Sequence, residues 1–162
     1  MGNSHGKLDP LAIRPFIQIP GPNPIVVSGG EGEWDENCIE AGDIFKDYTE
    51  RKEVYYLYYH GVADDKSRWP GGYRVGVATA THPLGPFSKA PQNPLLDLGA
   101  EGSWDDRSVA CPTIMKIGPD QYIMWYSGVG TGAGPRRWTV GIATASHPLG
   151  PWEKREGNPI ID

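Results

Sequence analysis

The sequence repeats itself, and this repetition limits the folds open to the chain more than any other feature. The stretch that begins at Asn23 reads NPIVVSGGEGEWDE, and the stretch that begins at Asn93 reads NPLLDLGAEGSWDD. A third copy begins at Asn158 with NPIID. A long internal period indicates a structural unit that buries its apolar surface against neighbouring copies. We therefore predict one domain over residues 1–162 with repeat units at 23–92 and 93–157 and partial units at both ends. Residues 1–10 are predicted to be flexible.

The order of segments within each unit predicts four β-strands. An apolar strand follows the Trp-Asp loop, and an aromatic strand comes next, VYYLYYHG in the first unit and QYIMWYSG in the second. Turn signals such as GPDQ, WPGG and HPLGP separate the strands. The composition agrees, because 22 glycines and 16 prolines beside 8 tyrosines and 6 tryptophans are typical of short aromatic strands joined by tight turns. The predicted strands are 39–46, 54–60, 73–81 and one from residue 87 into the Asn-Pro segment, then 109–117, 122–127, 138–146 and one from residue 152 into the next Asn-Pro segment.

The aromatic strand of the first unit is apolar on both faces. Tyr56 and Tyr58 alternate with Leu57 and Tyr59, so both faces need cover from other sheets. Four-stranded units that repeat around an axis are the blades of a β-propeller. A parallel β-helix has much shorter repeats, and a β-sandwich does not need near-identical units. The predicted fold is all-β, a β-propeller with about two complete four-stranded blades and partial blades at both ends.

The same motifs carry a resemblance to known enzymes. Their order is Trp-Asp, the aromatic strand, VGVATA or VGIATA, HPLGPF or HPLGPW, and NPI. This order resembles the five-bladed propellers of the arabinanase, levansucrase and invertase superfamily. That superfamily contains glycoside hydrolase families 43 and 32, with the mannoside phosphorylases of family 130 as relatives. The resemblance, over residues 23–162, implies part of a five-bladed propeller with a carbohydrate substrate.

The repeated polar loop predicts a ring of carboxylates. The innermost strands of a propeller run in one direction, so the loops that precede them gather at one mouth of the central funnel. Glycoside cleavage uses one protonated acid and one ionised carboxylate at such a place. The candidate catalytic residues are Glu40, Asp35, Asp105 and Asp106.

The resemblance assigns roles to these acids. IEAGDIF resembles the Glu-Gly-Pro or Glu-Cys-Pro motif of families 43 and 32, which makes Glu40 the general acid. An aspartate acts as base or nucleophile in those families, and WDDRSVACP resembles their Arg-Asp-Pro motif with a changed order. Glu40 has Ala110 as its counterpart, and this difference between repeats points to function. Asp35 and Asp105 recur, so a structural role as loop caps stays open.

Five other residues are predicted to contact the sugar. The two repeated tryptophans are either blade packing or stacking platforms for a sugar ring. The histidine of YYHGV resembles family 130 sequences near the sugar site and is either a ligand contact or a structural residue. The candidate substrate-binding residues are Trp34, Asn37, His60, Trp104 and Arg107.

Charge and composition argue against several partners. The net charge of -5, without a basic run, is unfavourable for nucleic acid. No apolar run approaches the roughly 20 residues needed to span a membrane. MGNSHGKLD lacks a signal-peptide core, so a cytoplasmic protein is expected, with secretion after removal of a leader as the alternative. We expect free thiols at Cys38 and Cys111, no metal site and no cofactor.

The length of the chain leaves the propeller incomplete. Two units cannot close a five-bladed ring, and an open stack exposes apolar faces to water. We predict a homodimer that completes the ring, with a piece of a longer gene product as the alternative. Three functions stay open: a glycoside hydrolase, a non-catalytic glycan-binding remnant, and a phosphorylase for which Arg107 is the phosphate-binding candidate.

Overall fold

The structure, a computed structural model, describes residues 24–48, 53–131 and 137–161. The predicted flexibility of residues 1–10 lies outside these ranges. The described residues contain β-strands and no helix, so they also contain no helix that could cross a membrane. The strands are β1 Cys38–Asp47, β2 Val54–Val62, β3 Arg74–Ala80, β4 Ser88–Lys89, β5 Ser108–Gly118, β6 Gln121–Val129, β7 Thr139–Ala145 and β8 Glu153–Lys154.

The strands form two four-stranded antiparallel sheets that have the same topology. Sheet 1 has the order β1-β2-β3-β4, and sheet 2 has the order β5-β6-β7-β8. Every neighbouring pair is antiparallel, so each sheet is a simple meander. The prediction of an all-β chain with two four-stranded units is confirmed.

The Asn-Pro segments complete the sheets that precede them. The Asn93 side chain accepts a hydrogen bond from the Val77 backbone N–H at 3.0 Å and donates one to the Val77 carbonyl at 2.9 Å. Asn158 makes the same pair of bonds with Ile142, both at 2.9 Å. These segments begin each sequence repeat, and the predicted fourth strand of each unit runs into them. The structure shows that they close the outer part of the previous sheet, because the asparagine amide replaces a missing strand partner.

The two sheets pack face to face over an aromatic core. Tyr56 and Tyr58 of β2 lie in one buried cluster with Tyr122 and Met124 of β6. The Tyr58 hydroxyl donates a hydrogen bond to the Pro148 carbonyl at 2.6 Å, which satisfies its polar end. Burial of one such aromatic side chain contributes about 1.5–3 kcal/mol. The alternating apolar faces of the aromatic strand are therefore buried on both sides, as predicted.

Polar contacts join β1 to β5 along the same interface. The Ile114 backbone N–H donates to Asp43 Oδ2 at 2.9 Å. Asp47, which is 2% exposed, accepts from the Lys116 ammonium at 3.2 Å and from the Tyr122 hydroxyl. These bonds hold the first strands of the two sheets side by side.

Glycines make room for the repeated tryptophans. A Cβ atom at Gly141 would lie 2.5 Å from the Trp104 indole, which is far inside van der Waals contact. Gly141→Ala should therefore lower the free energy of unfolding by about 1–3 kcal/mol, as overpacking does in a filled core. Gly30→Ala is the matched control, because a Cβ there meets nothing within 4 Å. Chemical denaturation of both variants checks this, and equal stabilities would contradict the packing described.

Candidate functional site

The two repeated aspartates lie in matching buried networks. Asp35 is fully buried, and its Oδ2 accepts hydrogen bonds from the Tyr59 hydroxyl at 3.0 Å and the Lys89 ammonium at 2.6 Å. Asp105 is 2% exposed, with the Tyr126 hydroxyl at 3.0 Å and the Lys154 ammonium at 2.7 Å. Each network joins the Trp-Asp loop to the second and fourth strands of its sheet.

The surroundings of these networks raise the pKa of the two tyrosine hydroxyls. Burial, followed by the charge of the neighbouring aspartate, holds the pKa of Tyr59 and of Tyr126 far above the ordinary value. Both hydroxyls therefore stay protonated and act as donors to the carboxylates. Since neither aspartate presents an exposed oxygen, neither is placed to reach a sugar. The structure thus offers no support for their predicted catalytic role and places them in buried networks within the two sheets.

The two tryptophans are packed beside the same tyrosines. Trp34 is 6% exposed and stacks on Tyr59, with ring centroids 5.6 Å apart and an interplanar angle of 22°. Trp104 packs on Tyr126 at 5.4 Å and 31°. Their positions favour a packing role within each sheet over a role as a platform for a sugar ring.

The residue that follows each repeated aspartate stabilises the Trp-Asp loop by accepting hydrogen bonds. Glu36 accepts hydrogen bonds from the backbone N–H groups of Gly32, Asp64 and Asp65. Asp106, at the equivalent position, accepts from the Gly102 N–H at 2.6 Å and from the Thr131 N–H and hydroxyl, both at 2.7 Å. The Thr131 hydroxyl contributes most to lowering the pKa of Asp106. Asp106 is therefore held ionised near neutral pH.

Glu40 has different surroundings from the other three candidate acids. Its side chain is 60% exposed, and its Oε2 lies 3.4 Å from His60 Nε2. The antiparallel register places Glu40 of β1 directly opposite His60 of β2. Tyr73 lies beside both residues, with its ring edge-on to the His60 ring at 4.9 Å. Burial and the nearby Cys38 and Glu40 raise the pKa of the Tyr73 hydroxyl. Glu40, His60 and Tyr73 form what we term the hub cluster.

The protonation of His60 follows from its partners. The residue is 5% exposed, and its Nδ1 accepts a hydrogen bond from the Cys111 N–H at 3.4 Å. Burial lowers the pKa of His60 below its ordinary value of 6.5, although Glu40 opposes this shift. The ring is therefore neutral near pH 7 and carries its proton on Nε2. It directs that proton at Glu40.

The lowered pKa of His60 gives stability a pH dependence. Below about pH 6.5 the unfolded chain binds a proton at this histidine before the folded chain does. The free energy of unfolding should therefore fall as the pH drops through this region, until the folded form is also protonated. His60→Gln should remove this part of the pH dependence. Urea denaturation between pH 7.5 and 5 checks the expectation, and identical slopes in both proteins would refute it.

A large cavity lies beside the hub cluster. It has a volume of about 1160 Å³ and opens between the loop that joins β2 to β3 and the loops that flank β5 and β6. Tyr73 belongs both to its wall and to the hub cluster. Glu40 itself is not part of the wall. The polar and aromatic residues that line the cavity include Lys66, Tyr73, Arg74, Asp97, Glu101, Asp106, Arg107 and Trp138.

The remaining candidates lie at the edge of this region. Arg107 lines the cavity, and its backbone carbonyl accepts a hydrogen bond from the Gly72 N–H at 2.7 Å. Asn37, at the matching position in sheet 1, donates from Nδ2 to Asp64 Oδ1 at 2.5 Å and so belongs to its own loop. The structure thus gathers Asp106 and Arg107 on one cavity and Glu40 and His60 beside it.

Two groups of residues in the buried networks and the cavity wall are not apparent from the sequence patterns used above. Lys89 and Lys154 recur at the same place in the fourth strands, so alignment of the repeats could have found them. Tyr73 and Trp138 occupy equivalent positions before the third strands and face the same cavity. Trp138 is 53% exposed.

The described residues contain no group of three or more metal-ligating side chains that could hold a metal ion. Cys38 and Cys111 are free thiols, and Cys111 is exposed.

Comparison with known proteins gives a structural match alone. Neither a protein-family model nor a curated protein sequence matches the chain. Among solved structures, the chain is similar to Zg3597, a family 117 glycoside hydrolase produced by the marine bacterium Zobellia galactanivorans, with a TM-score of 0.67 and 22% sequence identity. The match covers 84% of this chain and 37% of that one. The chain therefore shares the fold of a part of a larger protein.

Proposed function

We propose that the two sheets are blades of a five-bladed β-propeller of the arabinanase, levansucrase and invertase type, and that the chain acts on a glycosidic bond of an oligosaccharide. Support comes from the identical topology of the two sheets and from their face-to-face packing. The fold similarity to part of a glycoside hydrolase agrees with this proposal.

The observation that carries the proposal is the position of Glu40. Its side chain is 60% exposed, and its Oε2 lies 3.4 Å from His60 Nε2. It is also the one candidate acid that the second repeat does not keep, because Ala110 replaces it. A reactive carboxylate needs this combination of access to substrate and a fixed orientation.

Hydrolysis of a glycosidic bond uses two carboxyl groups, one protonated and one ionised. Glu40, when protonated, gives its proton to the oxygen of the leaving sugar as the glycosidic bond breaks. An ionised carboxylate takes a proton from water, whose oxygen bonds to the anomeric carbon. Asp106 suits that second role, because hydrogen bonds from Thr131 and Gly102 keep it ionised and it lines the cavity. Arg107 and Trp138 offer a cation and an open aromatic ring for the sugar.

A glycan-binding protein without turnover is the second candidate. It is favoured by the burial of Asp35 and Asp105, whose oxygens serve the lysine and tyrosine networks. Binding needs the cavity, Trp138 and Arg107, and it does not need two reactive acids. A phosphorylase would use Arg107 for phosphate and would cleave the same bond.

A substrate panel separates these functions. The wild-type protein is assayed on nitrophenyl arabinoside, xyloside, fructoside and mannoside, with and without inorganic phosphate, and oligosaccharide binding is measured by calorimetry. Release of nitrophenol without phosphate supports hydrolysis, and release that requires phosphate supports phosphorolysis. Binding without release supports the glycan-binding protein. If the protein neither releases nitrophenol nor binds an oligosaccharide, the proposed function as a whole is contradicted.

A further inference from the structure

The exposed acid of the hub cluster and its buried histidine change together between the two repeats. In sheet 1, the register between β1 and β2 places Glu40 opposite His60. In sheet 2, the register between β5 and β6 places Ala110 opposite Ser127 at the same point. A residue that served only the packing of a sheet would be expected in both copies. The joint change therefore indicates that Glu40 and His60 act as a pair.

Sheet 2 holds the imidazole ring of this histidine. His60 Nδ1 accepts a hydrogen bond from the Cys111 N–H at 3.4 Å, and the Tyr73 ring lies edge-on to the imidazole at 4.9 Å. Tyr73 is itself bound to β5, because its carbonyl accepts a hydrogen bond from the Val109 N–H at 2.9 Å. Since His60 is only 5% exposed, these contacts leave its ring little freedom to turn.

The backbone that donates to His60 has an unusual conformation. Cys111 has a φ of 52°, and among the non-glycine residues that the structure describes only Asp120 shares a positive φ. Cys111 lies at the register shift of β5 between Ala110 and Thr113. A positive φ is unfavourable for a residue with a side chain, and such conformations are concentrated at functional sites. Here the conformation accompanies the N–H that fixes the imidazole.

We propose that His60 is a positioning residue for Glu40 in the cleavage of the glycosidic bond, and that it acts through its Nε2–H. This inference rests on the proposed function. With Nδ1 engaged as an acceptor, the neutral ring carries its proton on Nε2, which lies 3.4 Å from Glu40 Oε2. When Glu40 gives its proton to the leaving oxygen, its carboxylate becomes negative, and the Nε2–H stabilises that charge. The proton of His60 stays on the ring.

Two uncharged substitutions separate this role from packing. A glutamine reaches about as far as Nε2 and can donate its amide N–H to Glu40, whereas an asparagine ends near the position of Nδ1. On a substrate with a poor leaving group, His60→Gln should keep kcat within about threefold of wild type, and His60→Asn should lower it about 10–100-fold, as expected when a charged group loses a hydrogen bond. KM should change little, because His60 does not line the cavity.

The Glu40→Gln background supplies the control for structural damage. If His60 acts through Glu40, His60→Asn should cause no further loss of kcat in that background, whereas a packing defect would lower kcat in both backgrounds. Ser127→Ala, at the equivalent place in sheet 2, is the matched control and should keep wild-type activity. Urea denaturation verifies that all variants are folded.

The tautomer of His60 gives a readout that needs no turnover. Long-range ¹H–¹⁵N spectra of the imidazole at about pH 7.5 should show the proton on Nε2. A proton on Nδ1, equal losses of kcat in His60→Gln and His60→Asn, or a further loss in the Glu40→Gln background would overturn the proposal. Absence of turnover by wild type on every substrate of the panel would contradict the proposed function itself, and this role with it.

Discussion

Asp35→Asn is expected to lower the free energy of unfolding by about 3–5 kcal/mol, the usual loss when one partner of a buried ion pair is removed. Asp35 is fully buried, with the Lys89 ammonium at 2.6 Å and the Tyr59 hydroxyl at 3.0 Å. The neutral amide would leave the Lys89 charge without its counterion beside the aromatic core. A catalytic aspartate in an open funnel would show no such loss, so the measurement separates the two roles.

Denaturation in urea provides the measurement, and Glu156→Gln provides the control. Glu156 lies exposed in the turn after β8, so its substitution should leave stability unchanged. A second variant, Asp35→Asn combined with Lys89→Met, removes both charges and should recover part of the loss. Asp105→Asn should behave like Asp35→Asn because Lys154 and Tyr126 repeat the network. Wild-type stability in both aspartate variants would contradict the structural role given to these networks.

Glu40→Gln is expected to lower kcat/KM by about 10²–10⁴-fold, the range for loss of a general acid. The glutamine keeps the size of the side chain and a hydrogen-bond acceptor for His60, but it has no proton to give to the leaving oxygen. Stability should change by less than about 1 kcal/mol, because the contact with His60 is a single partly exposed pair.

Steady-state assays on the best substrate of the panel check this expectation. Glu156→Gln again serves as the control and should keep full activity, since the residue lies in a distant surface turn. Leaving-group dependence adds a sharper readout, because loss of an acid affects poor leaving groups most. If Glu40→Gln were as active as wild type on substrates with good and with poor leaving groups, Glu40 would not be the general acid.

The strands of this protein were predictable because their signal is local. Alternation of aromatic residues and the Gly-Pro turns predicted a second strand at 54–60, and the structure has β2 at Val54–Val62. The repeat predicted the same four strands again, and sheet 2 confirms them. The predicted fourth strand of each unit runs into an Asn-Pro segment, and the structure shows the partner of each asparagine, Val77 or Ile142, 16 residues earlier in the chain.

The candidate site depended on contacts that no local pattern contains. The repeats alone predict that carboxylates recur before the first strand of each sheet, and that Glu40 differs from its counterpart. The three-dimensional structure is needed to show which carboxylates form ion pairs, because Lys89 and Lys154 come from fourth strands far along the chain. It also decided that Glu40 meets His60, since that contact depends on the register between β1 and β2. The chemistry of a carboxylate depends on its neighbours in space, and folding alone brings those neighbours together.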